Sequence, residues 1–389
     1  MKKWHLCVRL EFINTNSKYK AMRNFIAIIL CCFLVSCNNE KTLSGEDIYV
    51  EKNIKLTLLI EDIFEIDRCV LLESNDNGLI GGVNKIVQHN ADFFLSDGAA
   101  IYNYDREGRY KNVFDRRGRG PEEYLSIRDF VINNNIITLT DAVGDEIFQY
   151  TIDGNFIRRR KIDKTPSSMA ILNDEIIALK HTSFLPGKKI SLLDFDTLEE
   201  CGHFGIITQN ESKYMHFMGV NSFSYNQGSL LYNDIMDNQI YEVGVDSVRV
   251  RYKVDLYGNN PPDSFYENDY QDVQMFMESF DKQGYQSGMY RFVEGDNSLF
   301  FVIRGKDGIK ISLYNKETNN SVQAYSVKLA EGIPDIDAYD FRIYPQINEE
   351  VLFLIDPVIL FDENKELISD KFGVVKEDSN PIVCILKLR

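Results

Sequence analysis

The sequence predicts an all-β fold, a six-bladed β-propeller with four-stranded antiparallel blades. Three observations carry this expectation. First, short apolar runs alternate with turn residues: Val83–Val87, Phe93–Leu95 and Ile101–Tyr104 are separated by His89-Asn90 and Ser96-Asp97-Gly98. Second, the pattern recurs. FFLSDGAAIYNYDREGRY (93–110) is echoed by IITLTDAVGDEIFQYTIDGNF (136–156), with Asp97 and Asp141 44 residues apart and Gly108 and Gly154 46 apart. A period of roughly 40–50 residues with four strands per unit is the mark of a propeller. Third, the chain is 12% aromatic and 44% hydrophobic, enough for a large core that leans towards strands.

The elements follow in order. Innermost strands are expected near Val83, Ile127, Ser168, Val220, Met289 and Tyr339, at intervals of 44, 41, 52, 69 and 50 residues. The 69-residue interval calls for an insertion. PPDSFYENDYQDVQMFMESF (261–280) supplies one, with Ser264 three before Glu267 as a capping box and Tyr270, Val273, Met277 and Phe280 at helical spacing. A helical insertion is therefore expected between blades four and five. The C-terminal strand PIVCILKLR (381–389) lacks a partner, and residues 55–74 read as a strand pair with no inner strand of their own. Together they are expected to close the ring and remove its exposed edges.

Residues 1–36 read as a signal peptide. FIAIILCCFLV (25–35) is too short to span a bilayer, which takes about 20 apolar residues. Leu34-Val35-Ser36-Cys37 closes it as a lipobox, so Cys37 is the expected lipidation site. Met22-Arg23 is the expected start of the signal, which leaves 1–21 as an extension of the gene model. Residues 37–54 follow as lipidated cysteine and polar tether, and 55–389 as the propeller domain. The expected address is the cell envelope, lipid-anchored, at the outer membrane, since position 38 is not Asp.

The formal net charge is −16. Cleavage before Cys37 would leave 37 basic and 58 acidic side chains, a net of −21. Such a chain lacks the basic footprint that nucleic acids require. Cys69, Cys201 and Cys384 lie far apart with no CxxC pair and read as free thiols.

Catalytic motifs are not found. GYQSG (284–288) misplaces the serine of a nucleophile elbow, and no HExxH occurs. ESNDNGLIGGVN (73–84) offers early oxygen ligands, but Asn84 stands where a calcium loop needs Glu. No metal and no cofactor is expected. Candidate ligand-binding residues are Arg117, Arg119 and Arg128 near the channel mouth, His181 before the TSFLPGKK loop, and Tyr290 and Arg291 at the fifth inner strand. Aromatics around the fourth and fifth inner strands, Tyr214, Phe223 and Tyr285 among them, read mainly as packing.

The stretch FDRRGRGPEEY (114–124) is not a phosphate loop, because no Gly-Lys-Ser/Thr follows and Pro121 blocks the helix. It reads as a crossing between blades one and two. Its G-x-G-P-x-E-Y pattern, Gly118, Gly120, Pro121, Glu123 and Tyr124, resembles the connector of six-bladed propeller lipoproteins of Bacteroidetes, more distantly similar to NHL- and TolB-like propellers. Glu122 departs from the usual glycine. The resemblance covers about residues 55–389 and implies the propeller fold, while that family's function is largely unknown. The expected function is a binding or scaffold module presenting a ring face to a glycan, a peptide or an envelope protein. The alternative is a metal-dependent propeller hydrolase or lyase acting on lactones or sugars.

Overall fold

The computed structural model describes residues 45–389, apart from 77, 183, 215–221, 235, 289–290, 331–332, 361–365, 370–372 and 377. The signal peptide, Cys37 and Tyr290 lie outside the described residues. So do Val220 and Met289, the expected centres of two inner strands.

Three strands precede the first blade: β1 (Glu46–Val50), β2 (Ile54–Leu59) and β3 (Phe64–Leu71), with the single turn α1 (Ile60–Ile63) before β3. Four-stranded antiparallel blades follow. The first holds β4 (Lys85–His89), β5 (Asp92–Ser96), β6 (Ile101–Tyr104) and β7 (Tyr110–Phe114). The second holds β8 (Ile127–Asn133), β9 (Ile136–Asp141), β10 (Glu146–Thr151) and β11 (Phe156–Lys161). The third holds β12 (Pro166–Asn173), β13 (Ile176–His181), β14 (Gly187–Asp194) and β15 (Glu200–Ile207). After the turn α2 (Glu211–Tyr214), the fourth holds β16 (Phe223–Asn226), β17 (Ser229–Asn233), β18 (Gln239–Val243) and β19 (Val248–Leu256).

The insertion then supplies α3 (Asp263–Tyr266) and α4 (Val273–Gln283). In the fifth blade β20 (Gln286–Ser287) and β21 (Phe292–Glu294) share the inner edge, followed by β22 (Ser298–Gly305), β23 (Gly308–Asn315), β24 (Ser321–Lys328) and the short β25 (Ile336–Asp337). The remaining elements are β26 (Ile343–Pro345), β27 (Val351–Ile355), a separate hairpin of β28 (Glu366–Ser369) and β29 (Gly373–Lys376), and β30 (Ile382–Leu388).

The expectation of six like units needs correcting. Five blades are continuous in sequence. The remaining sheet, β26-β27-β30-β3, is composite, with its outer strand taken from the N-terminal region. The N-terminal segment also does not enter one blade as a pair. β2 runs parallel to β24 on the fifth blade, and only β3 joins β30. Residues 46–50, expected in the tether, form β1 and run parallel to β19 on the fourth blade. Three successive strands are thus laid across three successive sheets, covering two outer edges that would otherwise be open.

The strand period of two explains the core. Phe93 packs towards the composite sheet and Phe94 towards the second blade; Phe300 and Phe301 divide in the same way. Each sheet so shares an apolar layer with both neighbours. The circle closes where Tyr344, Leu352 and Ile385 meet Ile86, Phe93 and Leu95.

Two further expectations change. Cys69 and Cys384, read as free thiols, form a disulfide between directly paired residues of β3 and β30. The spacing of 315 residues hid from sequence what the sheet register brings together. The Ser264–Glu267 capping box is not the start of the main helix. Asp272 caps α4 by accepting from Met275 N at 2.8 Å, and Gly284 ends it at φ 72°.

Candidate functional site

The loops joining second to third strands share one face with the connectors that lead into each next blade. Ile127 N donates to Gly98 O, and the Tyr124 hydroxyl to Ala99 O. The stretch 114–124 lies on this connector face and is tied to itself. Gly118 N donates to Tyr124 O, Tyr124 N to Arg116 O, and Gly120 N to the Glu123 carboxylate at 2.8 Å. A Cβ on Gly118 would stand 1.7 Å from Glu123 Oε2, so the carboxylate occupies the space that glycine leaves. Glu122 O accepts from the Tyr150 hydroxyl, and Pro121 sits in the turn between these ties.

The arginines are placed separately. Arg117 forks onto Asp115 with Nη2–Oδ2 at 2.6 Å, which holds the Asp115 carboxyl below its usual range. Arg119 is exposed. Arg128 is half-buried at the start of β8 and already engaged within the protein. Arg291 donates to Tyr339 O and Phe341 O, both at 2.9 Å, and so fastens the fifth blade to the composite sheet. His181 ends β13 in a different pocket.

Among the described residues, polar contacts tie the inner strands of the first three blades together. Lys85 Nζ meets Asp129 at 2.9 Å and Met169 O at 3.2 Å, while Asp129 also accepts from Met169 N. This knot joins three inner strands. Gln346 accepts from Gln88 N and joins the composite sheet to the first blade. A cavity of about 170 Å³ remains, room for a few waters.

A cleft of about 750 Å³ lies on the connector face, between the fourth blade and the insertion. Its wall carries a buried charge network. Lys180, buried on β13, pairs with Asp234 at 2.9 Å and donates to Ser222 Oγ. Lys189 on β14 reaches Glu211 at 3.2 Å and Asp234 at 3.6 Å. These two ammonium groups hold Asp234 ionised below its usual range, against the cost of burial. Asp237, three residues on, forms no ion pair among the described residues, and Lys189 offsets its burial only in part. Burial lifts its carboxyl to about 6, although the Tyr241 hydroxyl donates to it at 2.6 Å. Asp47 from β1, Asp255 from β19 and Asp263 from α3 complete an acidic rim, with Lys253, Asn238, Asn260 and Tyr266 between them.

Sequence reasoning missed this cleft. The signal was present in NDIMDNQ (233–239), an acid-and-amide turn following a buried strand, opposite KK (188–189). Which lysine enters the cleft follows from strand alternation: Lys189 faces it and Lys188 faces the neighbouring pocket. Of the flagged aromatic residues, Tyr214 belongs to the insertion's core with Tyr285 packed against it, while Phe223 packs between the third and fourth blades. Tyr214 stacks on Phe276 at 4.6 Å, and Phe265, Tyr270 and Phe280 pack around them. Among the described residues, no three His, Cys, Asp or Glu side chains stand together as metal ligands would. No helix among them is long and apolar enough to cross a membrane.

The fold is thus that of a β-propeller with four-stranded antiparallel blades, carrying a wide cleft on the connector face. The chain belongs to the family described as a domain of unknown function, DUF4934, whose profile matches residues 46–387. Among solved structures it is similar to a Bacteroides fragilis NCTC 9343 protein described as exported, at TM-score 0.68 and 18% identity over 88% of this chain and 99% of that one. It is also similar to a member of the DUF4221 family from Bacteroides vulgatus ATCC 8482, at TM-score 0.52 and 9% identity over 84% and 98%. At these identities the likeness is one of fold. None of the curated proteins compared matches the chain.

Proposed function

We propose that this chain is a lipid-anchored binding protein of the cell envelope, a six-bladed propeller if the composite sheet is counted as a blade. Its connector face presents the cleft beside the insertion to a polar ligand. The observation that carries this reading is the cleft wall itself: Lys180, Lys189, Asp234 and Asp237 are held in fixed geometry beside about 750 Å³ of open space. Ion pairs kept this far from water stabilise a fold little, so their retention beside an opening is more simply explained by recognition. Carboxylates and side-chain amides around a tyrosine suit the hydroxyl groups of a glycan or the amides and amines of a peptide. The anchor rests on the Leu34–Cys37 lipobox. Two observations support an extracytoplasmic address: the Cys69–Cys384 disulfide, which persists in oxidising compartments, and the exported description of the Bacteroides fragilis protein.

The test is a glycan- and peptide-array screen on residues 38–389, with metal content measured alongside. Selective binding that Asp237→Asn weakens by about tenfold, or ~1.4 kcal/mol, supports the reading. Binding indifferent to Asp237→Asn and Lys189→Met overturns the cleft assignment. One tightly held divalent ion per chain would instead favour the metal-dependent hydrolase or lyase.

A further inference from the structure

The charges around the cleft beside the insertion do not cancel. Six of the 17 residues that line it are acidic and two are basic, against 59 acidic residues in the 389 of the chain. The acid share is more than twice the chain's own, so the surplus belongs to the cleft and not to the general acidity of the protein. Both lining cations are matched by neighbours. Lys189 lies between Glu211 and Asp234, and Lys180 pairs with Asp234 from behind the wall. Those two ammonium groups and two carboxylates balance. Lys253 stands opposite Asp47 in the β1–β19 register, with Asp255 two residues further along the same face of β19. Lys253 can offset only one of them. Asp237, Asp263 and the other of that pair are left without a cation among the described residues.

These carboxylates are spread out. They come from β1, the turn after β17, β19 and α3, and among the described residues no three stand close enough to hold one metal ion. A ligand with several separate cationic groups fits that spacing better than a single ion does. Asp237 is half-buried in the wall and accepts from Gln239 N on one oxygen and from the Tyr241 hydroxyl on the other. Each oxygen keeps a lone pair for a further donor. The Asn238 side chain accepts from Ser287 Oγ through its oxygen, which leaves its NH2 group as a donor. Tyr49, 63% exposed on the same face of β1 as Asp47, offers a ring to a cation or to the aliphatic stem beneath it. We propose that the cleft binds a basic peptide segment, its lysine or arginine side chains set against Asp237, Asp255 and Asp263 and its main-chain carbonyls met by Asn238. This assignment rests on the binding reading of the cleft given above and specifies its ligand.

The test is fluorescence anisotropy with a labelled trilysine amide, using its side-chain-acetylated form and triglutamate in parallel. The expected result is saturable one-to-one binding of trilysine alone, weakened by added salt. Asp237→Asn should lower the affinity about tenfold and Asp263→Asn should lower it less. Lys189→Met should raise it, because Glu211 and Asp234 then lose a cation. The opposite signs report charge, since a folding defect would weaken binding in every variant. Asp153→Asn removes an exposed carboxylate on the second blade and should change nothing. Equal binding of the acetylated peptide or of triglutamate, or an equal loss with Asp153→Asn, would overturn the proposal. A neutral glycan bound in an Asp237-dependent way, with trilysine ignored, would overturn it and leave the cleft reading in place. Indifference of every ligand to Asp237→Asn and Lys189→Met would remove both.

Discussion

At the residue scale, two titratable groups on the connector face are displaced in opposite directions. Burial, helped by Lys164, lowers His181 to about 4, with Lys188 acting in the same sense and Glu200 and Asp163 against it. The unfolded histidine titrates near 6.5. Between these values the unfolded chain binds the proton and the folded one does not, so stability falls as pH drops from about 6.5 to about 4. The displacement corresponds to on the order of 3 kcal/mol. Asp237 works the other way. Its folded value of about 6 lies above the unfolded one, so its contribution is present below about pH 4 and is lost as pH rises through 6. The two largely offset each other in the wild type and are separated by difference. Urea midpoints measured from pH 4 to 7 should show His181→Gln losing less stability on acidification than wild type. Asp237→Asn should lose less on going from pH 4 to 7. A His181→Gln profile parallel to wild type would show that the imidazole is not buried neutral.

At the scale of elements, the insertion depends on its own small core and on one cap. Phe265, Tyr270, Phe276 and Phe280 pack with Tyr214, and Asp272 satisfies the first turn of α4. Removing such a cap costs about 1 kcal/mol. Asp272→Ala should therefore speed amide exchange across α4 while leaving that of β17 and β18 unchanged. Faster exchange in the blade as well would show that the insertion and the blade unfold as one unit. The contrast with sequence reading is instructive here. Val273, Met277 and Phe280 were legible as a helix because the period is local. The cap was not, because Ser264–Glu267 fits the pattern equally well and tertiary packing chooses between them. Likewise the blades were legible from turns and alternation, and the connector from its glycines. The buried Lys180–Asp234 pair was not, because 54 residues separate partners that only the packing of the third blade on the fourth brings together.

At the scale of the whole molecule, stability rests on how the two ends of the chain are joined. The N-terminal strands β1, β2 and β3 lie on three successive sheets, and β3 is bonded along its length to β30. The Cys69–Cys384 disulfide ties that last pair across 315 residues of intervening chain. Closing so long a loop removes much conformational freedom from the unfolded chain, and native disulfides are commonly worth about 2–5 kcal/mol. The composite sheet is also where a ring would open, since β3 is the one strand of it that is remote in sequence from the others. The double variant Cys69→Ser/Cys384→Ser should therefore unfold at lower urea, by the equivalent of about 2–5 kcal/mol. Reductant should shift the wild type to the same midpoint and leave the variant unmoved. Amide exchange should rise first in β3 and the outer half of β30, with β8 and β12 protected as before. Equal midpoints for the two proteins under oxidising conditions would show that sheet pairing and the apolar layers hold the ring shut without the covalent tie.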